Sequence, residues 1–107
     1  MPVTAPTDPP ALRCELAQQV SGGMISISGR VFSVTPGPGT YQLRIEKSGP
    51  SGTSVINQGG AFTARPPVAS VVGNTTFSVE PGARYKARLR VTAGDATAEC
   101  QDTQDRL

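Results

Sequence analysis

Histidine and tryptophan are absent from the 107 residues, and aromatic residues make up only 5%. Without histidine the chain lacks the commonest general base and the commonest nitrogen ligand for metals. Its many serines therefore cannot form the usual Ser-His nucleophile. Cysteine occurs only at Cys14 and Cys100, too few for a four-ligand structural zinc site and too far apart for a C-x-x-C motif. Two methionines without histidine make a poor copper site. No apolar run approaches the roughly 20 residues of a membrane-spanning helix. Ten basic and eight acidic residues leave a net charge of +2, which does not indicate a nucleic-acid binder. The expectation is a non-enzyme with no cofactor, no metal, no nucleic-acid partner and no membrane insertion.

Glycine (12) and proline (10) are abundant, together about a fifth of the chain. Both penalise helix interiors, whereas short strands joined by turns accommodate them. The length suits one domain. Residues 1–11 (MPVTAPTDPPA) contain four prolines and no apolar h-region, so they read as a flexible arm rather than a signal peptide. An exported protein would have lost its signal before this start. Residues 12–101 form the expected domain, and 102–107 the expected polar, flexible tail.

Within the domain a period of two recurs. Leu12, Cys14 and Leu16 alternate with Arg13, Glu15 and Ala17. After Gly22–Gly23, Ile25, Ile27, Gly29 and Val31 share one face, and a bulge near Gly29 would accommodate Phe32. Thr35–Thr40, with its PGPG, reads as a hairpin turn, since no lysine or helix follows to make a phosphate loop. Tyr41, Leu43 and Ile45 form the next apolar face, and Ser48–Gly52 turns the chain again. TSVINQ and QGGAF follow, then the break Arg65-Pro66-Pro67, a short VASVV and TTFSVE, which presents Phe77 and Val79.

The clearest strand is residues 83–93. Tyr85, Ala87, Leu89 and Val91 lie on one face, with Arg84, Lys86, Arg88 and Arg90 on the other. Gly94-Asp95 fits a two-residue type II′ turn, which wants glycine first. That turn sets Val91 opposite Ala98, Leu89 opposite Cys100, Arg90 opposite Glu99 and Arg88 opposite Gln101, so that of the four basic residues only Arg90 is neutralised, by Glu99. Cys100 then falls on the apolar side, as Cys14 does. One disulfide joining the terminal strands is favoured over two free buried thiols, and it implies an oxidising compartment.

These signals indicate an all-β fold, an immunoglobulin-like antiparallel β-sandwich of seven or eight strands, with a small barrel as the alternative architecture. Few residues offer chemistry. Glu80 and Asp95 imitate a hydrolase pair only weakly among eight scattered acids. Asn74-Thr75-Thr76 matches a short glycosylation sequon. The basic stripe Arg84, Lys86, Arg88 and Arg90 stands out, and Arg44 extends it if its strand lies alongside. Its bland reading is a solvated sheet face that discourages aggregation. Its functional reading is electrostatic capture of an acidic partner.

The order of an early Cys, SGGMISISGRVFS, GTYQLRIEKSGPSGTSVINQGGAF, a Tyr-containing strand and a late Cys resembles the CsgH-type curli assembly inhibitors. The resemblance spans about residues 12–101. It implies a small periplasmic immunoglobulin-like sandwich, monomeric and without cofactor, that keeps the curli major subunit from polymerising prematurely. The related CsgC-type proteins carry C-x-C, which this chain lacks, so a redox role finds no support. Two modes of binding suit such a client. The basic stripe would attract an acidic subunit, or the stretch 54–62 (SVINQGGAF) would pair with it as an added strand. An immunoglobulin-like adhesion, carbohydrate-binding or assembly module is the reading from another class.

Overall fold

The computed structural model of the protein describes residues 11–78 and 80–104, with only the backbone of residues 103 and 104. Val79, residues 1–10 of the expected arm and residues 105–107 of the expected tail lie outside the described residues. The strands are β1 (Leu12–Ser21), β2 (Met24–Ser33), β3 (Gly37–Gly49), β4 (Gly52–Ala64), β5 (Ser70–Ser78), β6 (Arg84–Ala93) and β7 (Ala96–Gln104). They form two antiparallel sheets, ordered β1-β2-β5 and β4-β3-β6-β7. This is the β-sandwich expected from the alternation. A constant-type immunoglobulin domain keeps its fourth strand in the sheet of its first; here β4 pairs with β3 instead.

The inner faces follow the period-two pattern. Ile25, Ile27 and Val31 of one sheet meet Leu43, Ile45, Leu89 and Val91 of the other, all at most 1% exposed. Each such side chain contributes roughly 1.5–3 kcal/mol on burial. Gly29 lies among them because a Cβ there would come within 2.5 Å of Leu89 Cδ2 and 3.1 Å of the Val72 carbonyl. The sheets close over it.

The register of β2 against β5 shifts between Ser28 and Gly29, where the bulge was expected. The extra residue is on the partner strand: Gly73, at φ +67°, has no opposite number. Phe32 is half-buried, with the Arg13 guanidinium 4.3 Å from its ring centre. The β6–β7 hairpin has the anticipated register, with Leu89 opposite Cys100 and Arg90 opposite Glu99. Gly94 takes φ +58°, the positive angle that the first turn residue requires.

Several boundaries differ from those read in the sequence. The PGPG segment is not a hairpin turn: Gly37 already belongs to β3, and the link from β2 crosses between sheets. Gly39 is needed inside β3 because a Cβ would strike the Phe62 ring at 2.5 Å. TSVINQ and QGGAF are one continuous strand, and so are most of VASVV and TTFSVE, since Gly59, Gly60 and Gly73 pass through strands here. β7 continues to Gln104, beyond the boundary expected at 101.

Cys14 and Cys100 form a disulfide with a Cα–Cα distance of 5.9 Å. It joins β1, at the edge of one sheet, to β7, at the edge of the other. Beside it the Tyr85 hydroxyl meets the side-chain amide of Gln18 on β1 and donates to Asp102 Oδ2 on β7 at 2.8 Å. A buried tyrosine needs such partners for its hydroxyl, and these hold β7 in the sheet past residue 101.

Candidate functional site

Alternation along β6 turns Arg84, Lys86, Arg88 and Arg90 outward while Tyr85, Ala87, Leu89 and Val91 are buried. The antiparallel register then assembles the rest of the face. Arg44 of β3 lies directly opposite Arg88, Glu46 opposite Lys86 and Gln42 opposite Arg90. On the other side β7 sets Gln101 beside Arg88 and Glu99 beside Arg90. The stripe and Arg44 thus share the outer face of the four-stranded sheet. Five cations stand there with two carboxylates, Glu46 and Glu99, a surplus of three positive charges.

The ion pairing differs from the expected one. Glu99 does not reach Arg90, its cross-strand neighbour; it contacts Arg88 Nε diagonally at 3.4 Å. Arg44 Nε binds Glu46 Oε1 at 3.1 Å along its own strand. Like charges directly opposite repel, so Arg44 and Arg88 each draw a carboxylate toward themselves. All four groups are about half exposed, and such pairs contribute roughly 0–1 kcal/mol. Arg84 Nε donates to Ser48 Oγ at 3.1 Å. Lys86 and Arg90 have no ion-pair partner among the described residues. A recess of about 470 Å³ opens toward β4 where Gly59 supplies no side chain, walled by Arg44, Arg88 and Arg90 together with Glu99.

The stretch 54–62 lies within β4, which pairs only with β3 and is therefore an edge strand. Its outward side chains are small: Thr53, Asn57, Gly59 and Ala61, with Val55 among them. Asn74 of the sequon is exposed on β5, and its carbonyl accepts a bond from Gln58 Nε2 at 3.2 Å.

The acid pair is not a site. Glu80 precedes the ten-residue β6 and Asp95 follows it, on the order of 30 Å away by strand rise. Glu80 accepts from the Ser51 N–H (2.9 Å) and the Ser51 hydroxyl (2.8 Å). These bonds, with Lys47 nearby, lower its pKa below the ordinary carboxylate value. Glu80 thereby ties the β3–β4 turn to the segment before β6. Neither that tie nor the Tyr85 network is visible in the period-two pattern. The signal for the latter was a tyrosine phased with Leu89 and Val91, whose hydroxyl demanded polar company. Burial, then the Asp102 bond and charge, raise the Tyr85 pKa well above its usual value.

The family model described as CsgH protein matches residues 13–103. The solution structure of CsgH from R. palustris is 40% identical, covers 84% of this chain and 89% of its own, and superposes with a TM-score of 0.72. The curli protein CsgC from E. coli is 18% identical, covers 84% of this chain and 96% of its own, with a TM-score of 0.73. At that identity the likeness is one of fold. No curated protein sequence matches.

Proposed function

The chain belongs to the CsgH family, and from that premise we propose that it is a chaperone-like inhibitor of curli subunit polymerisation. It binds the unfolded or early oligomeric subunit transiently and prevents premature fibre formation. The observation that carries this reading is the basic face, where Arg44, Arg84, Lys86, Arg88 and Arg90 outnumber Glu46 and Glu99. An amyloid subunit is a strand-forming chain that templates its own kind through exposed edges. A rigid sheet with surplus positive charge attracts such a chain, if acidic, over roughly a Debye length, about 8–10 Å in physiological salt. Contact of this kind is weak and reversible. It needs no cofactor. The disulfide suits an oxidising compartment, and the periplasm, where subunits pass before assembly, fits that requirement.

The test is amyloid formation by the curli major subunit, followed by dye fluorescence with this protein well below equimolar. The lag lengthens several-fold with the oxidised wild type. The double reversal Lys86→Glu with Arg88→Glu loses most of that effect while its melting temperature stays close to wild type. An unchanged lag with the reversed protein excludes the basic face. No effect from the wild type turns the reading to an adhesion, carbohydrate-binding or assembly module.

A further inference from the structure

Four strands border the two sheets: β1 and β5 in one, β4 and β7 in the other. An unpaired backbone edge templates further pairing, and proteins blunt such edges with charge, proline, bulges or cover. Three of these four are blunted. β1 carries Arg13 and Glu15, β7 carries Glu99 and Asp102, and the disulfide ties the two together. β5 is interrupted by the Gly73 bulge, and two of its carbonyls are capped from the other sheet. Lys47 Nζ donates to Ser78 O at 2.9 Å and Gln58 Nε2 to Asn74 O at 3.2 Å. β4 has one such device, at its far end, where Ser70 Oγ caps the Thr63 carbonyl, and none along residues 53–61. Its 13 residues contain no charge and no proline, and they pair with β3 without a register shift.

The hairpin sets the phase of the free groups on β4. Gly49 and Gly52 face each other across a two-residue turn, so they exchange hydrogen bonds, as does every second pair along the ladder. Thr53, Val55, Asn57, Gly59 and Ala61 therefore direct N–H and C=O away from β3. Thr63, next in the series, shows the same phase, because its carbonyl accepts from Ser70 Oγ at 3.2 Å. The backbone groups of the five residues before it have no partner among the described residues.

We propose that β4 is the strand on which the client adds, as a fifth strand of the four-stranded sheet. The identity of the client rests on the inhibitor reading above; the mode of contact goes beyond it. The occupant is an extended segment of small, uncharged residues with a carboxylate at an outward position. An added strand lies about 4.8 Å from β4. Its outward side chains pass over Gly59 and Ala61 toward the recess, where three arginines, Arg44, Arg88 and Arg90, outnumber the one carboxylate, Glu99, and so favour a carboxylate over a basic segment. A second copy of this chain is a poorer occupant, because β4-to-β4 pairing would set two basic faces in one sheet. Small edge residues admit the strand, and the arginines choose its charge.

Amide hydrogen exchange of the full, oxidised protein, read by NMR with and without the curli major subunit, tests the contact directly. The expected result is slowing by about tenfold at the amides of Thr53, Val55, Asn57, Gly59 and Ala61, alternating with unchanged neighbours already bonded to β3. Asn57→Pro removes one outward N–H and leaves the β3 ladder intact, so the lag extension falls several-fold. Should that variant fold poorly, Val55→Lys places a charge on the edge and has the same effect. An extended lag with no alternating protection overturns the edge proposal and leaves the inhibitor reading standing. If the lag is not extended, the inhibitor reading fails, and the exchange pattern decides the edge alone. Protection in the protein by itself, constant or rising with its concentration, gives the edge to another part of the chain or to a second copy, and overturns the proposal.

Discussion

On one flank of the sandwich, β1 and β7 are joined by the Cys14–Cys100 bridge and by Tyr85, which links Gln18 to Asp102. On the other, β4 and β5 meet through single side-chain bonds from Gln58 and Ser70, and Lys47 of β3 adds one to β5. The first flank is closed by covalent and buried polar chemistry, the second by exposed hydrogen bonds that water competes for. Both flanks end the same two sheets, so the difference is not imposed by topology. It shows a domain whose stability is concentrated opposite the edge it leaves open.

The largest expected effect comes from opening the closed flank. Replacing both cysteines by alanine releases a loop of 86 residues' separation, which costs about 4–5 kcal/mol by the chain-entropy model. Urea denaturation should show a correspondingly lower midpoint, and an unchanged midpoint would erase the contrast between the flanks. Tyr85→Phe comes next, at about 1–3 kcal/mol, because Gln18 and Asp102 lose their shared partner. Its pH signature sharpens the assignment. With the folded pKa raised, this contribution is full below the unfolded value of about 10 and declines as pH climbs above it. Alkaline denaturation should be flatter in Tyr85→Phe.

The open flank predicts smaller losses. Gln58→Ala removes the bond to the Asn74 carbonyl and should cost about 0.5–1.5 kcal/mol, with faster amide exchange in β5 as the local readout. A loss matching that of the disulfide would show that this flank, too, holds the fold. The smallest effect belongs to Glu80. Its lowered folded pKa means a contribution present above about pH 4.5 and lost as pH falls through the folded value. Glu80→Gln should flatten acid denaturation in that window, with its small loss of stability full at neutral pH and vanishing in acid.

Much of this arrangement was legible from alternation alone. The β6–β7 register followed from one glycine-first turn, and with it the inward placement of Cys100. The basic stripe needed only the parity of Arg84, Lys86, Arg88 and Arg90. What parity could not supply was partnership between distant strands. Whether Arg44 stands beside Arg88 depends on which strand neighbours β6, and no local signal specifies that. Glu99 was assigned to Arg90 because they are opposite in register; the observed diagonal contact with Arg88 reflects the repulsion from Arg44. Glycine usually interrupts strands, so the sequence divides β4 and β5 into two pieces each, yet here Gly60 lies under the Tyr41 ring, 3.2 Å from a would-be Cβ, and Gly73 forms a bulge. Glycine marked close approach rather than an end.

With Cys14 and Cys100 joined, the stretch between them is covalently a ring rather than a thread. A protease that cuts the Pro50–Ser51 turn, or the link between β4 and β5, opens the ring without freeing a strand. The fragments migrate as one molecule until a reductant parts them. By the same reasoning, new termini could be placed at that turn and the old ones joined, and every strand would keep its neighbours.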